Sequence, residues 1–389
     1  MNTPNTPVHI HLWHRDFWLL VLSALLLTMA VYVLIPVLPQ WFMQEENFTP
    51  EETGLSIAAF ALGLYVFGAH CSWLVQHYRR NVVFMWAVFG VALDAGLLWY
   101  INSLRCEFVE LWIILLQRFF LGAAYGLAQM VLMSTLIIDT SESAQRTEAN
   151  HFAAWFSRFA LATGPLAGSL LYQYEGFDGM VGLSAGCAVV ALLLIKTVNF
   201  PFRTPDDKLR VTSLDRFFLV QGGVLFVHLL FIALVVGLLL SIPHDMLFYG
   251  LMAVGFLLAM LAQQFVFPEA ELKSEVISGL IMLFATAIIL LFYPSSPVAP
   301  VLMGLGTGLV GSRFLLFFIK LSRHCQRGTS QSTFFLAWET GLTLGIALGY
   351  GLFYEDSLAL YYTAMMLTVL SLLAYHLFTH QWFLQNKNR

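Results

Sequence analysis

The sequence predicts an all-α integral membrane fold: twelve transmembrane helices in two pseudo-symmetric six-helix bundles. Three observations predict it. The 389 residues are 59% hydrophobic and only 11% charged, with a mean hydropathy of +0.76, far outside the composition of soluble domains. The apolar residues gather into stretches of roughly 20, the length that crosses the hydrocarbon core as a helix. Finally, Gln145-Arg146, Leu161, Gly164, Gly168 and Leu171 recur 181 residues further on as Gln326-Arg327, Leu342, Gly345, Gly349 and Leu352. Each copy is a short basic loop running into a Gly-striped apolar helix. A membrane chain built from two related halves has the organisation of a secondary transporter.

Taken in order, the stretches justify themselves as follows. The first, 17–39, follows only sixteen residues and has no small-residue cleavage site, so it reads as a retained helix and not a signal peptide. The second, 54–75, closes on the basic pair Arg79-Arg80, and the third, 82–101, carries Asp94 within its apolar run. Arg118 and the small pair Gly122 and Gly126 mark the fourth, 109–138. The fifth, 150–172, holds Gly164, Pro165 and Gly168; Pro165 removes a backbone donor and is expected to kink it. The sixth, 179–200, ends at the longest interior polar break, 201–215, which contains Pro201 and Pro205. That break separates a first bundle, 1–200, from a second, 216–389, as a linker. The seventh, 216–241, contains His228, and the eighth and ninth are 246–267 and 275–293. The tenth, 298–320, carries Gly304, Gly308 and Arg313; the eleventh, 331–353, carries Glu339, Gly345 and Gly349; the twelfth is 357–379. All are too long and too little alternating to be barrel strands.

Loop charge tests the count. With the N-terminus inside and the sides alternating, Arg15, Arg79, Arg80, Arg146, Lys196, Arg203, Lys208, Arg210, Arg216, Lys273, Lys320, Arg323, Arg327, Lys387 and Arg389 fall on the cytoplasmic side, against Arg105 alone outside. That partition fits the positive-inside rule, with both termini cytoplasmic. Acidic residues such as Glu45, Glu51, Glu107, Glu175 and Asp356 collect on the opposite side. The net charge of −4 therefore conceals a basic face suited to anionic lipid heads.

Short loops and compact length point to a bacterial inner membrane. Cys71, Cys106, Cys187 and Cys325 form neither a disulfide framework nor a metal motif. No phosphate-cradling Gly-Lys-Ser/Thr loop occurs, so energy is expected from an ion or substrate gradient. No cofactor, metal, nucleic-acid partner or enzymatic nucleophile is indicated, and a monomer is expected.

Several motifs resemble those of the major facilitator superfamily, in its bacterial drug- and sugar-efflux branch, over the whole chain. Gln326-Arg327-Gly328-Thr329-Ser330-Gln331-Ser332-Thr333, continuing to Trp338-Glu339-Thr340-Gly341 and Gly345, resembles the eleventh-helix signature. Arg118 with Gly122 and Gly126 resembles the fourth-helix pattern. Gly164-Pro165 with Gly168 resembles the core of the fifth-helix antiporter motif, although Ala160 and Ser169 replace two glycines. After the second helix, Gln76 stands where the family usually has an aspartate, which departs from its charge-based cytoplasmic latch. The resemblance implies alternating access around a cavity lined by the first, fourth, seventh and tenth helices. It also implies proton-coupled export of a small organic molecule, hydrophobic or cationic. Proton-coupled uptake of a sugar or other nutrient, and a non-transporting receptor or scaffold, are the alternatives.

Ionisable residues inside spans cost at least ~2.5–3.5 kcal/mol to insert and so mark candidate sites. Asp94 and Arg118 lie roughly 10 and 13 Å from the outer side, at ~1.5 Å per residue, and are expected to form a proton-responsive ion pair or a static one. Glu339, roughly 12 Å deep from the inner side at the same rise, is a proton carrier or substrate anchor, or else a structural partner of Arg313. Arg158 occupies the position of Glu339 in the other half. Tyr32, Gln117, Gln129, Trp155, His228 and Trp338 are candidate cavity residues, each also explicable as packing or interface anchoring. The glycine pairs read first as close helix packing, and through it as what lets helices slide.

Overall fold

The computed structural model describes residues 12–104, 110–142, 145–200, 210–267 and 272–388. Arg105, Cys106, Glu107, Arg203, Lys208 and Arg389, and most of the expected linker, lie outside them.

Among the described residues the chain is helical without strands. Ten stretches are long and apolar enough to cross a membrane. One of them, Arg146–Lys196, is two helices: Gly176, at φ 69°, breaks it, a backbone conformation that only glycine adopts without steric cost. A further helix, Arg327–Phe353, is absent from the ten because its first turns are polar. It tolerates that composition because every residue from Gly328 to Thr343 is buried in protein. The twelve spans expected from the sequence are thus α1 (Arg15–Tyr32), α2 (Pro50–His77), α3 (Arg80–Leu104), α4 (Leu111–Asp139), α5 (146–175), α6 (177–196), α7 (Val220–Leu240), α8 (Met246–Phe265), α9 (Leu272–Phe292), α10 (Val298–Leu321), α11 (Arg327–Phe353) and α12 (Ser357–Asn386). Pro165 sits in unbroken helical backbone, so the interruption comes at Gly176 instead.

Glycine placement decides which helices touch. In the first half Gly164 and Gly168 of α5 receive Tyr32 at the end of α1 and the following Val33, and Gly122 and Gly126 of α4 receive Phe60 and Leu64 of α2. The second half repeats the scheme: Gly341 and Gly345 of α11 lie on Leu230, Leu234 and Gly237 of α7, and Gly304 of α10 on Met252 of α8. A Cβ added at Gly345 would stand 2.8 Å from the Gly237 Cα, closer than real Cβ contacts allow. Gly345→Val is therefore expected to abolish recovery of monodisperse protein from membranes. Gly351→Ala, whose new Cβ meets nothing nearer than 3.6 Å, should elute as wild type in the same size-exclusion assay.

The halves touch toward both faces. Near the acidic face α2 meets α11, where a Cβ at Gly54 would lie 2.6 Å from the Ala347 carbonyl oxygen. Deeper in, the Tyr65 hydroxyl is 2.7 Å from Thr340 Oγ1. Near the basic face α5 meets α10, with His151 Nε2 2.8 Å from Ser312 Oγ. There too Gly328 of α11 lies against Ser134 of α4.

Candidate functional site

Where the halves meet, α1, α4, α5 and α11 converge on one carboxylate. Glu339, buried midway along α11, accepts the Tyr32 hydroxyl at 2.6 Å and the Tyr125 hydroxyl at 3.3 Å, both on Oε1. Its Oε2 has no hydrogen-bond partner among the described residues. Behind the phenols the Gln129 amide donates to Thr28 Oγ1 at 2.8 Å and to the Tyr125 oxygen at 3.3 Å. Tyr125 and Gln129 are four residues apart and so share one face of α4.

Two small pockets flank this carboxylate. One, of about 40 Å³, lies toward the basic face between α1, α4, α5, α10 and α11; Arg158, Ser157, Gln331 and Trp338 line it. The other, of about 50 Å³, lies toward the acidic face and is lined by Arg118, Thr343 and apolar residues of α1, α2 and α11. Tyr32 and Glu339 border both. Each pocket thus carries one buried arginine. Arg158 stacks on the Trp155 ring at 4.8 Å and donates Nε to the Ala154 carbonyl, but Nη1 and Nη2 have no partner. Arg118 stands 5.9 Å from the Phe60 ring centroid with Nε and Nη1 unpartnered. Volumes this small hold a few waters and not an organic molecule. Neither pocket is the substrate-sized cavity expected from the sequence.

A family model described as the Major Facilitator Superfamily matches residues 20–345. The chain belongs to that superfamily. No curated protein sequence matches it. Its fold is shared with a crystal structure of an auto-inhibited POT family peptide transporter (TM-score 0.66, 11% identity, covering 97% of this chain and 98% of that one). A structure of the nucleoside transporter NupG is as similar (TM-score 0.66, 11% identity, 93% and 99% covered). The human organic anion transporter MFSD10 gives a TM-score of 0.64 at 15% identity, with 93% and 99% covered. At these identities the likeness is one of fold. Membership makes the chain a multi-pass membrane transporter.

This transporter disposes its charged residues differently from several expectations. Asp94 and Arg118 are both buried but form no direct ion pair. Gln117 takes the Asp94 carboxylate instead, donating Nε2 to Oδ2 at 2.5 Å. One residue further along α4 is a turn of about 100°, which carries Arg118 round to the interface between the halves. Arg313 does not pair with Glu339: it bonds Glu275 of α9, which also accepts the Gln263 amide. Glu275 is fully buried one turn into its helix, adjacent to α10. His228 lies away from the centre, in an apolar groove between α7 and α12, with Nδ1 2.9 Å from Thr379 Oγ1. Nor does α7 line either pocket, because it packs behind α11 at Gly341 and Gly345. Of the expected cavity residues, Tyr32, Gln129 and Trp338 border the basic-side pocket; Trp155 supports Arg158 from behind; Gln117 holds Asp94.

Tyr125, Ser157 and Glu275 did not stand out in the sequence, and Gln331 did so only as part of the eleventh-helix motif. Tyr125 had a visible signal, two turns beyond Arg118 and one before Gln129 on the same helix face. Glu275 had none, since a carboxylate at a helix start reads as a loop charge.

At the basic face, Gln76 donates to Ser72 at 2.9 Å and Ser72 to Asp215 at 3.3 Å. Asp215 also accepts the Thr329 hydroxyl at 3.1 Å, and that hydroxyl accepts the Arg216 amide at 2.8 Å. Arg80 pairs with Asp139 across α3 and α4. Burial, and next the neighbouring Arg80, pull the Arg216 guanidinium below its ordinary value, against Asp215. Asp215 and Thr329 thus tie the segment before α7 to α11 and, through Ser72 and Gln76, to α2. Thr329→Val removes both of those bonds, each worth about 1–3 kcal/mol when a buried or charged partner is stranded. We expect it to loosen this face and raise maleimide labelling of the buried Cys71 several-fold when Cys71 is the sole cysteine. An unchanged labelling rate would show that the network does not hold the face shut.

Proposed function

We propose that the protein is a proton-coupled carrier of a small organic molecule, working by alternating access, with Glu339 as the group that takes the proton. The observation that carries this reading is that one carboxylate borders the pockets toward both faces. A site loaded from one side and emptied to the other needs such a position. A buried carboxylate without a cation partner costs several kcal/mol to keep charged. Loading it with a proton therefore changes the relative energies of the two access states, which is what coupling requires.

The resemblance of the fifth and eleventh helices favours export by exchange. A second direction, co-transport, is favoured by Arg158, which shares a pocket with Glu339. With both charged, that pair is neutral; an anion on Arg158 together with a proton on Glu339 leaves it neutral again. In this reading the basic face and both termini are cytoplasmic in a bacterial inner membrane, residues 201–215 link the two bundles, and the working unit is a monomer among lipids.

The test uses everted membrane vesicles under an imposed pH gradient, challenged with a metabolite and drug panel. Dissipation of the gradient by one compound in wild-type vesicles, lost in Glu339→Gln, supports the carrier reading; the sign of the flux separates exchange from co-transport.

A further inference from the structure

Arg158 is 4% exposed, and two of its three guanidinium nitrogens face no acceptor. No carboxylate lies at ion-pair distance from it among the described residues. Leaving a cation uncompensated in a protein interior is expensive, and such residues in membrane spans face a pathway or a partner. The surroundings hold this guanidinium in place while leaving its edge free. Trp155 covers one face of the plane at 4.8 Å, the Ala154 carbonyl fixes Nε, and Gly311 on α10 makes room for Nη1. A Cβ at Gly311 would lie 2.8 Å from that nitrogen.

The rest of the pocket matches a ligand with a charged head and an apolar body. Ser157 Oγ and both polar side-chain atoms of Gln331 are buried without partners beside Arg158; the hydroxyl and Gln331 Nε2 can donate to an oxyanion, and Gln331 Oε1, an acceptor, must turn away from it. Leu315, Phe334, Phe335 and Trp338 supply the remaining wall. A fork of two free guanidinium N–H groups fits a planar carboxylate, or a sulfonate, through paired charge-assisted bonds, which a neutral amide or an amine cannot form. Toward the acidic face Arg118 offers unpartnered nitrogens in the second pocket, across the Tyr32–Glu339 wall.

We infer that the cargo is an amphipathic organic monoanion, with its acidic group held by Arg158 when the carrier opens toward the basic face. This deepens the carrier reading above and rests on it for the role of Glu339. On that reading, proton and anion travel together.

Ligand-dependent thermal stabilisation of the purified full chain tests the inference. The probes are benzoate, hexanoate and benzenesulfonate, each against the neutral amide and the amine of the same skeleton. The expected result is stabilisation by the anions and not by their amides or amines. Arg158→Gln should weaken the response at least about tenfold, and Arg158→Lys, which keeps the charge but loses the fork, should fall between. Should Arg158→Gln fail to fold, Gly311→Ala displaces the same guanidinium and is expected to weaken the anion response likewise. Stabilisation that does not distinguish anions from amides, or that is unaffected in Arg158→Gln and Gly311→Ala, overturns the assignment. Glu339→Gln separates the two readings. Anion stabilisation with proton-driven flux lost supports both; flux at the wild-type rate removes Glu339 as the proton site and leaves the anion site standing.

Discussion

Glu339→Gln is expected to reduce proton-driven transport to the level of vesicles lacking the carrier, while insertion and folding are retained. The substitution preserves the shape of the side chain and can still accept Tyr32, whose hydroxyl lies 2.6 Å from Oε1. What it removes is the ability to exchange a proton, so the effect should be large on coupling and small on stability. Tyr32→Phe and Tyr125→Phe grade the effect. Losing a hydrogen bond to a charged group costs about 1.5–3 kcal/mol, and the shorter bond from Tyr32 should matter more than the 3.3 Å bond from Tyr125. Proton flux measured with an intravesicular pH dye, at matched protein levels, gives the comparison. Wild-type flux in Glu339→Gln would remove the coupling role from the one carboxylate that, among the described residues, borders both pockets.

Glu275→Ala is expected to be the most damaging single change outside the centre. Its carboxylate is fully buried, bonded to Arg313 and to the Gln263 amide, and Gln263 in turn accepts Ser312 at 2.9 Å. Removing one member of a buried pair strands the other, at a cost of about 3–5 kcal/mol. The chain continues to His151, whose ring lies against Ser312 across the two halves, so the loss should also loosen that contact. Replacing both partners, as in Glu275→Leu with Arg313→Met, should recover most of the stability, because the desolvation cost disappears along with the attraction. Thermal denaturation in detergent distinguishes the two. A double variant no more stable than Glu275→Ala would show that the pair contributes by geometry and not by compensating buried charge.

The twelve spans were legible in the sequence because insertion is a local property, set by some twenty residues at a time. The α11 helix was legible as the apolar run 331–353, and the structure extends it back through polar turns to Arg327. The glycine positions were legible as packing sites, and the structure puts Gly122, Gly164, Gly168, Gly304 and Gly345 each against a neighbouring backbone or Cβ. The membership of the site was half legible. Glu339, Arg118, Arg158, Tyr32, Gln129 and Trp338 stood out as polar or aromatic groups in apolar runs, and they border the central pockets. Their pairings did not stand out. Asp94 and Arg118 sit at similar depth, yet Gln117 takes the carboxylate. Glu339 and Arg313 share a side of the membrane, yet Glu275 takes the guanidinium.

By itself the sequence determined that this chain lives in a membrane, how often it crosses, that its halves are related, and which charges had to be sheltered. Tertiary structure alone decided that two of those charges, Arg158 and Glu339, face one pocket and that neither is neutralised by the other. The reason is rotational. Each step along a helix turns a side chain by about 100°, so whether two groups meet depends on the phase of each helix and on its neighbours, which hydropathy and depth do not encode.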